Sequence, residues 1–264
     1  MMEIPYPSAL SAGPHEVRDL MLTDKERDRY KRQLSIPQFG EEVQAKLKES
    51  RVALLGVGGI GGTAALYLAA AGVGQLLLVD RDLVEVSNLN RQILFNGSDL
   101  MRPKARAAQE RLKALNASID IEAVHEEVNQ SNLLSLLKYS HFVLDCLDTN
   151  CVRLAVNSTC VKLNLPASHG FAQDFSGELI TVLPRESACL ACIMDDSFPE
   201  PEETPVVGVA TGMVGVGMAA AAIRFLTGLG DIDAGYRLIY DLAFPQMAKV
   251  PAAKLPSCPV CQDL

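Results

Sequence analysis

Residues Gly56-Val57-Gly58-Gly59-Ile60-Gly61 fit the pattern G-x-G-x-x-G, between an apolar run at 52–55 and an Ala- and Leu-rich stretch at 64–71. Gly74 then precedes a second apolar run, 76–79, which ends at Asp80. Strand, turn, helix and strand within about 30 residues make a βαβ unit. Uninterrupted apolar strands of this kind belong to a parallel sheet covered on both faces, which leaves few architectures open. Glycines at these positions let backbone N–H groups approach a phosphate, and the helix N-terminus adds a favourable dipole. Asp80 is placed to accept hydrogen bonds from a ribose. The same glycines could serve only a tight turn and close helix packing, but strand, helix and acidic residue together favour a nucleotide. The motif alone does not separate a dinucleotide cofactor from ATP.

The alternation continues with a helix after Pro103, a strand at 119–124, a helix at 133–137, a strand at 142–144, a helix at 153–163 and a strand at 167–171. This predicts an α/β, Rossmann-like, doubly wound and mainly parallel sheet. Strands at 178–183 and 236–242 lack the βαβ rhythm and are expected as antiparallel C-terminal strands, with a helix at 208–226 between them. Residues 200–205 are acidic and proline-rich, hence a loop. At the other end, Thr23 and Glu26 form a capping box that opens a charged helix through Leu34, and a second helix is expected at 41–48. Residues 1–22 read as a partly ordered leader.

The chain of 264 residues is 48% hydrophobic, enough for one large α/β domain. Its formal net charge of -8 excludes a general nucleic-acid binder. Any anionic ligand must therefore be held by a few placed Arg or Lys residues. The uncharged run 208–223 is shorter than the ~20 residues that span a bilayer, and its glycines suit a close-packed buried helix, so no membrane partner is expected. Seven cysteines do not suggest a secreted disulfide framework. A cytoplasmic location is expected.

The residues after Asp80 discriminate between nucleotides. Asp82, Ser87, Asn88, Asn90, Arg91 and Gln92 lie in one polar stretch, and Lys104 opens the following helix. Arg91 and Lys104 supply positive charge beyond the ribose, where a triphosphate extends, and Asn88 can donate to phosphate oxygens. An NAD enzyme has no need of them. Asp145-Cys146-Leu147-Asp148 closes a strand whose carboxyl end faces ligands. Asp148 is suited to hold Mg2+ bridging phosphates; Asp145 suits backbone bonding, and Arg153 can pair with either carboxylate. Among four scattered histidines, only His169 at a strand end is placed to touch a substrate.

Cys189 and Cys192, with Cys258 and Cys261, form two C-x-x-C pairs able to fill a tetrahedral four-cysteine zinc site. Redox pairs or unrelated core cysteines are the alternatives. Cys146, Cys151 and Cys160 read as core residues without chemistry.

Arg29-Tyr30-Lys31-Arg32-Gln33, the glycine loop, Asp80, Ser87 to Gln92 as SNLNRQ, Pro103-Lys104 and the D-x-x-D ending at Asp148 occur in the order of the ThiF/MoeB/HesA family, which the chain resembles from about Asp24 onward. These are bacterial relatives of ubiquitin-activating enzymes. The resemblance implies that residues 23–264 form a single adenylation domain. It implies ATP-dependent adenylation of the C-terminal glycine carboxylate of a small ubiquitin-like sulfur-carrier protein ending in Gly-Gly. Pyrophosphate leaves, and a separate sulfur donor then forms a thiocarboxylate. It further implies that Gly56, Gly58, Gly59, Gly61, Asp80, Asp82, Ser87 and Gln92 surround the nucleotide. Asn88, Arg91 and Lys104 would bind phosphates, Asp148 the Mg2+, and the four cysteines Zn2+. Arg32 would reach the nucleotide of a neighbouring subunit, which makes the active unit a homodimer. One departure stands out: Pro205 occupies the place where many relatives carry a crossover cysteine, so no thioester is expected on that loop. Adenylation of a peptide C-terminus in natural-product synthesis, an NAD-dependent oxidoreductase and a non-catalytic binding partner are the competing readings.

Overall fold

The structure, a computed structural model, describes residues 21–194 and 204–262. Apart from its last two residues the expected leader lies outside them, as do residues 200–203 of the expected loop. Helices α1 (Asp24–Leu34) and α2 (Gly40–Glu49) lead into β1 (Arg51–Leu55), α3 (Gly59–Ala71) and β2 (Gln75–Val79). Then come α4 (Lys104–Leu115), β3 (Asp120–Val124), α5 (Leu133–Leu137), β4 (Phe142–Asp145), α6 (Asn150–Lys162) and β5 (Ala167–Gln173). Strand β6 (Ser176–Val182), α7 (Gly208–Thr227), β7 (Tyr236–Asp241) and β8 (Gln246–Pro251) complete the chain.

One sheet of order β3-β2-β1-β4-β5-β6-β7-β8 contains all eight strands. The first five are parallel, and β5 to β8 pair antiparallel. The chain runs outward from β1 in both directions, so the carboxyl ends of β1 and β4 flank a topological switch point, where ligands of such sheets bind. Residues 52–55 and 76–79 are fully buried apolar strands, as a sheet covered on both faces requires.

Helices α3, α4 and α7 cover one face with α2, and α5 and α6 cover the other. The apolar helix α7 meets the length and hydropathy needed to cross a membrane, but it packs on α3 and the sheet. There Gly215 lies so close that a Cβ would sit 2.5 Å from the Ile60 carbonyl oxygen. A third cluster surrounds the four cysteines.

The structure adds one strand that the sequence pattern did not announce. Strand β8, QMAKVP, is exposed along its whole length and carries no alternating apolar face. An edge strand needs only backbone pairing on one side, so its sequence need not look like a strand. Helix α6 starts at Asn150 rather than 153, because Thr149 has the extended backbone of an N-cap.

At the N-terminus the capping box forms as expected. The Thr23 side chain accepts from the Glu26 backbone, and Glu26 accepts from the Thr23 N–H at 2.8 Å. Burial pushes the Glu26 carboxyl up, but bonds from the Thr23 backbone and Lys48 outweigh it and hold it below the ordinary carboxylate range. Tyr30 and Gln33 brace the C-terminal end of α3. Asn116 Nδ2 donates to the Tyr30 hydroxyl at 2.9 Å, and Gln33 Nε2 donates to the Ala71 carbonyl at 3.0 Å.

Candidate functional site

Two backbone ladders bring the glycine loop and the D-x-x-D loop together. Gly56 N–H donates to the Val79 carbonyl and Cys146 N–H to the Leu55 carbonyl, at 2.8 and 2.9 Å. Gly56 has φ +86°, a region that favours glycine, and Gly61 leaves room that a Cβ, 2.0 Å from the Gly56 carbonyl oxygen, would close. Asp80 fastens this turn to β2: its two carboxylate oxygens accept from the Val57 N–H at 2.7 Å and the Asp82 N–H at 2.8 Å. Burial pushes the Asp80 carboxyl up, opposed by those backbone bonds and by Lys104. Each oxygen keeps a further lone pair for a ligand.

These loops open on a cavity of about 1420 Å³. Gly56, Gly58, Gly59, Asp80, Asp82, Ser87, Arg91, Gln92, Lys104 and Asp148 all line it. The remaining expected site residues do not. Gly61 serves the packing of α3 on the loop, as described above. Asn88 is buried, and its Oδ1 accepts from the Glu85 N–H at 3.1 Å, so the amide caps a short helical turn. Arg32 is exposed on α1, away from its own chain's cavity.

Within the cavity the charges are already partnered. Lys104 is buried, and its Nζ donates to Asp82 at 2.8 Å. Arg91 sits on the rim, where Nη1 donates to the Ser87 carbonyl at 2.9 Å and to Asn90 Oδ1 at 3.1 Å. Asp148 is exposed, and its Oδ1 accepts from the Thr149 hydroxyl at 3.3 Å. Gln92 is buried, and its Oε1 has no partner among the described residues. A Cβ on Gly59 would stand 2.8 Å from Thr211 Oγ1, and one on Gly58 would stand 3.4 Å from Gln92 Nε2. The loop is a close-packed backbone turn at the N-terminus of α3, whose N–H groups suit phosphate oxygens, and the unsatisfied Gln92 oxygen calls for a donor. A nucleotide, which carries phosphates together with hydroxyl and amino donors, fits both.

The cavity continues over the outer strands. It runs past Phe171, Ser176 and Glu178 to Arg237, under Thr204 to Val206. Glu178 accepts from Arg237 Nε and Nη2 at 2.5 and 2.8 Å, a bidentate pair on the floor. The segment above is pinned at the β5–β6 turn. There the Asp174 N–H donates to the Pro205 carbonyl at 2.7 Å, and the Asp174 carbonyl accepts from the Val207 N–H at 2.9 Å.

The ThiF family model matches residues 30–260. The chain belongs to the ThiF family. It is 38% identical over 255 residues to the sulfur carrier protein adenylyltransferase of Thermus thermophilus, covering 91% of this chain and 93% of that one. To the sulfur carrier protein ThiS adenylyltransferase of Escherichia coli it is 37% identical over 245 residues, covering 91% and 97%. The crystal structure of E. coli MccB with ATP shares the fold, with a TM-score of 0.82 at 22% identity over 90% of this chain and 75% of that chain.

A second cluster of this ThiF-family chain lies beyond β6. Cys189, Cys192, Cys258 and Cys261 place their sulfurs within 4.8 Å of one another. Three separations are 4.0, 3.7 and 3.5 Å, for Cys189–Cys192, Cys189–Cys258 and Cys192–Cys261. A tetrahedron of thiolates about 2.3 Å from zinc has edges of about 3.8 Å, so the four sulfurs fit one ion. Cys160, expected as a core residue, is buried, whereas Cys146, expected likewise, is only partly buried and lines the cavity; burial pushes both thiols up. Cys151 is exposed at the cavity mouth.

Two further expectations are settled. Arg153 pairs with Asp145 and not with Asp148. His169, expected to touch a substrate, is fully buried and does not line the cavity. The sequence reading missed the closure of Thr211 on Gly59 and the Glu178–Arg237 floor, both made by residues far apart in the chain.

Proposed function

We propose that this ThiF-family chain uses MgATP to adenylate the C-terminal glycine carboxylate of a small ubiquitin-like sulfur-carrier protein. The observation that carries the reading is one cavity in which the glycine cradle, Asp80, Arg91, Lys104 and Asp148 meet at the sheet's switch point, and which extends over β5 to β7 far enough to admit a chain end. Relatives of near-equal length named as sulfur carrier adenylyltransferases support it.

In this reading Asp80 holds the ribose while Gly56, Gly58 and Gly59 present backbone to the phosphates, with Ser87 and Gln92 beside them. Asp148 is a hard oxygen donor suited to Mg2+, which would supply charge neutralisation of the triphosphate. The attacking carboxylate is ionised at neutral pH and needs no general base. Its oxygen bonds to the α-phosphorus, the bond to the bridging oxygen breaks, and pyrophosphate leaves with that electron pair. Lys104, released from Asp82 by the stronger phosphate charge, and Arg91 on the rim stabilise the oxygens where charge develops. Arg32 contributes from a second subunit, so the working unit is a homodimer. The four cysteines hold Zn2+ as a closed structural site. Sulfur reaches the acyl-adenylate from a separate donor, in the cytoplasm, where thiols stay reduced.

The test is ATP–pyrophosphate exchange with a carrier ending in Gly-Gly. Exchange is expected with the intact carrier and lost when its last glycine is removed. Exchange supported instead by short peptides, with none from any carrier, would overturn the choice of substrate.

A further inference from the structure

Behind the D-x-x-D loop lies a buried polar network that the proposed reaction does not use. Strand β5 sets His169 opposite Asp145 in register with β4, and both side chains are fully buried. Asp145 Oδ2 accepts from His169 Nδ1 at 2.7 Å and lies 3.6 Å from Arg153 Nη1, while Oδ1 accepts from the Leu147 N–H at 3.2 Å. The Arg153 guanidinium rests on the Phe171 ring, 4.1 Å from its centroid, and Nη2 donates to the carbonyls of Leu147 and, at 2.7 Å, Gly170. Leu147 is therefore held by its N–H through Asp145 and by its carbonyl through Arg153. The next residue is Asp148.

A buried carboxylate must have its lone pairs satisfied. The His169 bond is the shortest that Asp145 makes. Without it, Oδ2 keeps, among the described residues, only a guanidinium beyond hydrogen-bond distance. The carboxylate then turns toward Arg153 and draws it off the Leu147 carbonyl. His169 Nε2 has no partner among the described residues, so the ring's polar contribution is directed wholly at Asp145.

We propose that His169 is a positioning residue, which through Asp145 and Arg153 fixes the loop that presents Asp148 to the metal-bearing end of the triphosphate. The inference rests on the proposed role of Asp148. Partners behind a metal-holding group typically govern affinity or activity by about 10–100-fold.

The test is calorimetric titration of the full-length protein with ATP, in Mg2+ and in EDTA. The quantity read is the gain in ATP affinity that Mg2+ brings. His169→Ala is expected to lower that gain by about 10–100-fold while leaving affinity in EDTA unchanged. His169→Asn, whose amide N–H falls near the Nδ1 position, should restore most of it. His169→Gln, whose amide falls near Nε2, should not, and this pair keeps the core filled where His169→Ala does not fold. Equal behaviour of the Asn and Gln variants, or equal losses in Mg2+ and in EDTA, would show a merely structural role and overturn the proposal. Asp148→Asn separates the two layers. If it loses the gain while the His169 variants keep theirs, only this inference fails; if it keeps the gain, the assignment of Asp148 itself falls.

Discussion

Strands β1, β2 and β4 are buried along nearly their whole length, whereas β7 is half-buried and β8 is exposed at every residue. The inner strands are held by helices on both faces, and their loops are free to serve the cavity through main-chain bonds to Asp80 and Asp145. The outer strands lack that cover on both faces. There the four sulfurs gather the segment after β6 and the segment after β8 at one point. Where apolar burial thins, an ion held by these four thiolates would supply the stability that burial supplies elsewhere.

Removing the cross-link should break the comparison most sharply. Structural zinc contributes on the order of 10 kcal/mol of binding free energy in small domains. Cys258→Ser is expected to abolish bound zinc by elemental analysis and to strip hydrogen-exchange protection from β7 and β8 while β1 and β2 keep theirs. Next in size are Lys104→Ala and Asp148→Ala. Each should slow pyrophosphate exchange by about 10²–10³ with little change in thermal midpoint, because the inner strands do not depend on these side chains. Arg32→Ala should do the same, and mixing it with Lys104→Ala chains should recover part of the exchange by pairing complementary subunits. Gly61→Ala drives a Cβ against the Gly56 carbonyl and should cost about 1–3 kcal/mol in urea denaturation.

The smallest effect lies at the N-terminal brace. Thr23→Ala should cost about 1 kcal/mol. Glu26 is held below its ordinary pKa, so its contribution is complete above the usual carboxylate range and fades as pH falls through the depressed value. The stability gap between the native chain and Glu26→Gln should therefore narrow in acid, followed by urea titrations across pH.

What was legible in the chain was local. The glycine loop, Asp80 and the capping box at Thr23 declare themselves within a few residues, because turn geometry and helix ends are short-range demands. The two C-x-x-C pairs were legible as donors, though only the fold brings Cys189 beside Cys258. Asn88 shows a demand that polar neighbours do not announce: its Oδ1 caps the Glu85 N–H. His169 shows another, since a histidine at a strand end gives no sign that β4 will set a buried carboxylate opposite it. Strand β8 escaped notice because an exposed edge imposes no apolar alternation.

The cysteines of each facing couple, Cys189 with Cys258 and Cys192 with Cys261, stand 69 residues apart. Closing a loop that long is almost indifferent to its length, since doubling it adds only about 0.6 kcal/mol of entropy. The clasp would therefore tolerate insertions in the enclosed segments outside α7, which is itself packed on α3 and the glycine loop. The chain that roofs the cavity and builds its far wall lies inside that loop, so it can diversify toward new cargo without loosening the machine that spends the nucleotide.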